Sequence, residues 1–158
     1  DFLADNNANP LISDPIRLFH SCPISDGAAA VVLCNADIAK KYCDTPILIS
    51  GIGQATDTHI LYERDDLLTF KALRICSDKA YKMAKRSSQD IDVCELHDAF
   101  TILEVIQSED LGFFKKGEGA KAAHEGLTEI GGKIPINPSG GLKARGHPLG
   151  ATGVAQVV

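Results

Sequence analysis

Two histidines in this sequence stand where proton-transfer chemistry could be done. His147 lies in Gly146-His-Pro-Leu-Gly-Ala-Thr-Gly153. Pro148 suits the first position of a helix, where its missing N–H has no partner in any case. His147 is then expected at the helix N-cap or one residue outside it. The positive end of a helix favours the uncharged imidazole, the form that accepts a proton. Gly150 and Gly153 permit close backbone approach by a ligand or a second element. A histidine that only caps a helix satisfies the same pattern, and the segment alone does not separate the two roles.

His97 stands in Cys94-Glu-Leu-His-Asp-Ala-Phe100, just past a predicted strand and before a predicted helix. In open α/β sheets, ligands bind beyond the carboxyl ends of strands. A buried histidine with satisfied hydrogen bonds reads equally well from the residues. Asp98 is expected to cap the following helix. A third segment, Asn137-Pro-Ser-Gly-Gly-Leu-Lys-Ala-Arg145, leads into His147. Lys143 and Arg145 could meet a phosphate or form a solvated charge pair, and the glycines could simply serve turns. Gly51-Ile-Gly53 is an incomplete dinucleotide signature with no helix after it, and it is set aside. His20, His59 and His124 have no partner spacing and read as surface or structural residues.

The elements that must position these residues alternate. Gly27–Leu33 and Pro46–Gln54 read as short buried strands, and Ile91–Leu96 as a third. Asn35 or Asp37 is expected to cap a short helix through Tyr42. Longer helices are expected over Leu68–Lys85 and Ala99–Leu111, from apolar residues at three-to-four spacing. Residues 112–146 read mostly as loop. The order β-α-β-α-β-α argues an α/β sheet with largely parallel strands. Residues 1–26 carry no periodicity and form an irregular lead-in; residues 27–158 form the domain.

The 158 residues suit one domain, and 44% apolar with 23% charged residues is a soluble globular composition. A net charge of −5 argues against general nucleic-acid binding. Five cysteines without a CxxC pair exclude a zinc ribbon and a thioredoxin-type site. They read as free thiols, mostly in the core, in a reducing cytoplasmic compartment. No apolar run is long enough to span a bilayer. Both ends look cut: the first residue is Asp1, and Val158 falls inside an apolar helical stretch.

Taken together, Asn137-Pro-Ser-Gly-Gly, Gly146-His-Pro-Leu-Gly-Ala-Thr-Gly153 and His97-Asp-Ala-Phe100 resemble the C-terminal domain of the thiolase family. Ser25-Asp-Gly-Ala-Ala-Ala30 resembles the family's approach to that domain. The histidine of His-Asp-Ala-Phe is typical of the branch holding archaeal acetyl-CoA acetyltransferases and sterol-carrier-protein type thiolases. Many other thiolases carry asparagine there. The resemblance implies a thiolase-like fold, a mixed sheet with helices on both faces. This chain would form only the C-terminal half and stop before its last two strands.

The resemblance also implies roles. His147 would activate a nucleophilic cysteine and help bind the thioester oxygen, with His97 completing that oxyanion site and serving as the acid/base group. Cys22 falls near a pantetheine-contacting position, and Ser139, Gly140 and Gly146 fall in substrate-binding segments. Coenzyme A thioesters would be the substrates, with no metal and no redox cofactor. The acyl-carrying cysteine belongs to the N-terminal half of the family, and none of the five cysteines here matches it. Some sterol-carrier-type relatives place a cysteine at the position held here by Ala99. The implied reaction is thiolase acyl transfer in lipid metabolism, with the isolated chain inactive. The implied partners are further copies of the chain and, for archaeal relatives, HMG-CoA synthase and a small acyl-CoA-binding protein. Two other readings remain: a thiolase-like lipid-transfer protein or retro-aldolase acting on CoA esters, and a non-catalytic scaffold subunit.

Overall fold

The computed structural model describes residues 7–158. A hairpin of β1 (Leu11–Ser13) and β2 (Ile16–Arg17) opens the described chain, paired antiparallel around Asp14–Pro15. Six α-helices follow among the described residues: α1 (Ala36–Ala39), α2 (Lys71–Ala84), α3 (Thr101–Asp110), α4 (Gly119–His124), α5 (Gly141–Arg145) and α6 (Leu149–Ala155). The hairpin lies inside the segment read as irregular, whose first six residues are outside the description.

Asn35 caps α1 as expected, its side chain accepting from the Asp37 N–H at 2.8 Å. The long helix starts three residues later than its periodicity suggests. The Phe70 N–H is taken instead by the Asp110 carboxylate at 2.7 Å, and Lys116 holds that carboxylate at 3.1 Å. At the other end Lys85 turns left-handed (φ 54°), and the Arg86 N–H closes the helix on the Tyr81 carbonyl at 3.0 Å.

Residues 112–146 are less of a loop than their glycines suggest. Gly119 opens α4 instead of breaking it. Its N–H donates to Glu109 at 2.8 Å, and a Cβ there would lie 2.9 Å from the Val105 carbonyl on α3. The glycine is a contact between helices, and the alanines behind it supply helix propensity.

The expected parallel strands are the main correction. Among the described residues the hairpin is the one ladder, joined by three isolated bridges, Ser21–Phe100, Ile24–His147 and Cys94–Ile136. Residues 27–33 and 46–54 run without ladder partners. Val32 and Ile47 are each 95% exposed, so these apolar segments are not core within the described chain. A strand needs a neighbour for its N–H and C=O groups, and sequence pattern reads only its own side chains. The cysteines follow suit. All five are free, but Cys34 and Cys43 are exposed and the other three half-buried, against the expectation of core placement. Gly51 and Gly53 press on α2, where a Cβ would run into the carbonyls of Ala80 and Cys76. That packing gives both glycines a structural reason in the fold.

The core gathers on Leu96, Phe113, Ile134 and Ile136, with Ile91, Cys94, Leu111 and Phe114 against it. It holds residues 94–96 beside residues 134–136, and so fixes the extended segment on which His97 sits. Among the described residues no helix is long and apolar enough to cross a membrane.

Candidate functional site

Two chain segments are zipped together beneath the site. The Cys94 N–H donates to the Pro135 carbonyl at 3.0 Å, and the Asn137 N–H donates to the Cys94 carbonyl at 2.8 Å. There the second segment turns away, because Asn137 adopts φ 50°, a conformation asparagine tolerates better than most residues. Its side-chain oxygen then takes the Leu96 N–H at 2.8 Å.

Carboxylates on either side of His97 complete the zipper. Glu95 accepts from the Ser139 N–H at 3.0 Å and from its hydroxyl at 2.8 Å, with the Arg145 guanidinium 3.9 Å away. Asp98 accepts from the Leu142 N–H at 2.9 Å. Asp98 is therefore a helix cap, but of α5 and not of α3, the helix that follows it in sequence. The N-cap position of α3 is Phe100, which has no capping side chain. We expect Asp98→Ala to cost about 1 kcal/mol in urea denaturation and Asp98→Asn clearly less, the usual range for a lost helix cap. Equal stability of Asp98→Ala and wild type would show that the Leu142 N–H does not need this acceptor.

His147 arrives from the other side. Gly146 is buried with φ 82°, and a Cβ there would run into the Ser25 side chain, so glycine is required for the approach. The His147 N–H donates to the Pro23 carbonyl at 3.2 Å. His147 lies one residue outside the N-cap position of α6, which Pro148 occupies. Its Nδ1 is 2.7 Å from the Thr152 hydroxyl oxygen. The rings of His97 and His147 meet edge to face, centroids 4.7 Å apart at 76°. Fifty residues apart in sequence, the two histidines form one pair.

The electrostatics are uneven. Burial pushes the His97 pKa below the ordinary histidine range, His147 pushes it the same way, and Asp98 partly opposes. The Glu104 carboxyl on α3 is raised by burial and then by Asp98. The Cys94 thiol is pushed up to about 11 by burial, with Glu95 and Glu104 adding to the shift. A thiol held protonated is a poor nucleophile. In an alkylation series from pH 7 to 9, read by peptide mass spectrometry, Cys94 should react more slowly than exposed Cys34 and Cys43. Labelling of Cys94 at their rate would contradict a thiol held protonated.

The remaining expected site residues divide. Cys22 is half-buried, and its N–H donates to the Ala99 carbonyl at 2.9 Å, which places its backbone beside the His97 segment. Ser139 and Gly140 are exposed at the start of α5, with Gly140 left-handed at φ 92°. Lys143 is committed to the protein: its ammonium donates to the Ser21 carbonyl at 2.7 Å and sits over the Phe19 ring. Arg145 reaches Glu95 and, at 3.3 Å, the Ala155 carbonyl. Both cations bind the protein itself, and neither forms the solvated charge pair weighed from the sequence. No three His, Cys, Asp or Glu side chains gather as a metal cluster among the described residues.

Sequence reasoning passed over Glu95, Glu104 and Thr152. Thr152 carries a readable signal, since it falls one helical turn after Pro148. Glu95 carries none, because its partners lie 44 residues on.

The comparisons with known proteins bear on the family of the chain. A family model described as "Thiolase C-terminal domain-like" matches residues 53–158. An acetyl-CoA acetyltransferase of Methanothermobacter thermautotrophicus is 53% identical over 146 residues, covering 92% of this chain and 38% of that protein. Sterol carrier protein 2 of Bos taurus is 38% identical, covering 93% of this chain and 28% of its own length. Among solved structures, a chain of the Ltp2-ChsH2(DUF35) aldolase superposes with a TM-score of 0.74 at 28% identity, over 84% of this chain and 36% of that one. The chain thus spans well under half the length of these relatives.

Proposed function

From the fact that this chain belongs to the thiolase C-terminal domain-like family, we propose that it is part of a longer acyl-CoA acyltransferase, an acetyl-CoA C-acetyltransferase or 3-ketoacyl-CoA thiolase. The observation that carries this reading is the edge-to-face pair of His97 and His147 at 4.7 Å. A neutral imidazole at that point can take a proton from a thiol. A second imidazole beside it can donate to an oxygen that gains negative charge.

The chemistry follows in two steps. A cysteine outside these 158 residues gives its proton to His147, and the thiolate attacks the thioester carbonyl. The carbon–sulfur bond to coenzyme A breaks, and the leaving thiolate takes the proton back from His147. In the condensing direction the α-carbon of a second acetyl-CoA loses a proton to His97. Its carbanion attacks the acyl-cysteine, a carbon–carbon bond forms, the cysteine leaves as thiolate, and the proton held by His97 returns to that sulfur. His147 and His97 hold the oxyanion in turn. Coenzyme A thioesters are the only small molecules required. Cys22, Ser139, Gly140 and Gly146 line the approach of the pantetheine arm.

Other parts of this reading rest on the family alone. The longer protein works in the cytoplasm, in lipid metabolism, as a homo-oligomer, with HMG-CoA synthase and a small acyl-CoA-binding protein as possible partners. The rest of that protein covers the exposed apolar residues of segments 27–33 and 46–54.

A retro-aldolase acting on CoA esters is the second reading, favoured by the 0.74 TM-score to the aldolase. The 53% identity to an acetyltransferase weighs against it. One assay set decides between them. The full-length protein should thiolyse acetoacetyl-CoA with free coenzyme A, and the 158-residue chain alone should not. Cleavage of a β-hydroxyacyl-CoA without thiolysis would establish the aldolase instead. Inactivity on both substrates would leave the scaffold role.

A further inference from the structure

We propose that Thr152 is a positioning residue that fixes the tautomer of His147, keeping the proton on Nδ1 and leaving Nε2 as the atom that accepts one. The hydroxyl of Thr152 lies 2.7 Å from His147 Nδ1 and 3.1 Å from the Pro148 carbonyl oxygen. A hydroxyl has one proton to give, and a carbonyl can only accept. If that proton goes to the carbonyl, the ring must be the donor, so Nδ1 carries hydrogen. The opposite choice would leave hydroxyl oxygen against carbonyl oxygen with no proton between them. Thr152 is 3% exposed, so water is not at hand to relieve that contact.

The rotamer is fixed as well. Threonine in a helix commonly bonds the carbonyl four residues back, and Thr152 does this to Pro148. The hydroxyl oxygen then has its lone pairs free to face the ring. The edge of His97 against His147 limits rotation of the imidazole from the other side. Ring position and proton position are thus set by one buried hydroxyl within the same helical turn.

This inference rests on reading His147 as the proton acceptor, but the tautomer can be read without any substrate. The full-length protein would be labelled with 15N-histidine, and His147 assigned by its loss in His147→Gln. Two-bond 1H–15N correlations near pH 8 then report which ring nitrogen is protonated. Wild type and Thr152→Ser should show the Nδ1–H form. Thr152→Val should shift towards Nε2–H, the form that free imidazole side chains favour. In the thiolysis assay Thr152→Val should lose about 10- to 100-fold in kcat, in line with a mis-set general base. KM should stay within about twofold, and serine should restore kcat to within about threefold. An Nε2–H signal in the wild type would overturn the proposal, and that spectrum stands even if Thr152→Val fails to fold. An unchanged tautomer in folded Thr152→Val would overturn it too. A protein with the expected tautomer and no acyl-transfer activity would sink the functional reading and leave this one intact.

Discussion

Replacing His147 with asparagine in the full-length protein is expected to lower kcat/KM for thiolysis by about 10^3- to 10^4-fold, or about 4–5.5 kcal/mol of transition-state stabilisation. A proton acceptor and an oxyanion donor are lost together, and asparagine offers no lone pair basic enough to make a thiolate. His97→Asn should cost somewhat less, about 10^2- to 10^3-fold, because an amide can still donate to an oxyanion but cannot move the α-carbon proton. The two losses should not add. The rings touch at 4.7 Å, and groups that act as one unit lose most of their function with the first change. Steady-state kinetics on both single variants and the double variant measure this. A His147→Asn loss smaller than about tenfold would place the proton transfer elsewhere. A double variant with the full product of both losses would mean that the histidines act independently.

Phe113→Ala should destabilise the protein by about 3–5 kcal/mol, the usual cost of emptying a buried aromatic position. Phe113 is 5% exposed and packs against Leu96, Ile134 and Ile136. Native domains are held by about 5–15 kcal/mol, so such a loss consumes a large part of the margin. The same cluster presses residues 94–96 onto residues 134–136, so a cavity there also loosens the extended segment that carries His97. Phe113→Leu keeps most of the volume and should cost about 1 kcal/mol. Urea denaturation of both variants gives the comparison, read as the change in midpoint at constant slope. A loss below about 1 kcal/mol for the alanine would show that this cluster does not hold the fold together.

Local rules carried much of this chain. Asn35 as a cap, the apolar spacing of α2 and α3, and Pro148 opening α6 all depend on groups a few residues apart. The motifs around His97 and His147 named the family for the same reason, since each is contiguous in sequence. The parallel strands expected over residues 27–33 and 46–54 failed because a ladder needs a neighbour, and a strand's own residues do not reveal whether one is present. Gly119, Gly51 and Gly53 misled in a related way: their meaning lies in the helix backbone pressed against them.

The composition of the site was set by sequence, and its arrangement by tertiary structure. Glu95 reaches Ser139 across 44 residues, Asp98 caps a helix 44 residues on, and His97 meets His147 across fifty. Those separations leave no periodic trace, because the contacts are made by side chains from segments that only the tertiary structure brings together. The residue types of the candidate site were therefore legible from the first. The packing of Leu96, Phe113, Ile134 and Ile136 on one side, and the Pro23 and Ser25 contacts of the His147 segment on the other, decided that the two histidines would stand as a pair.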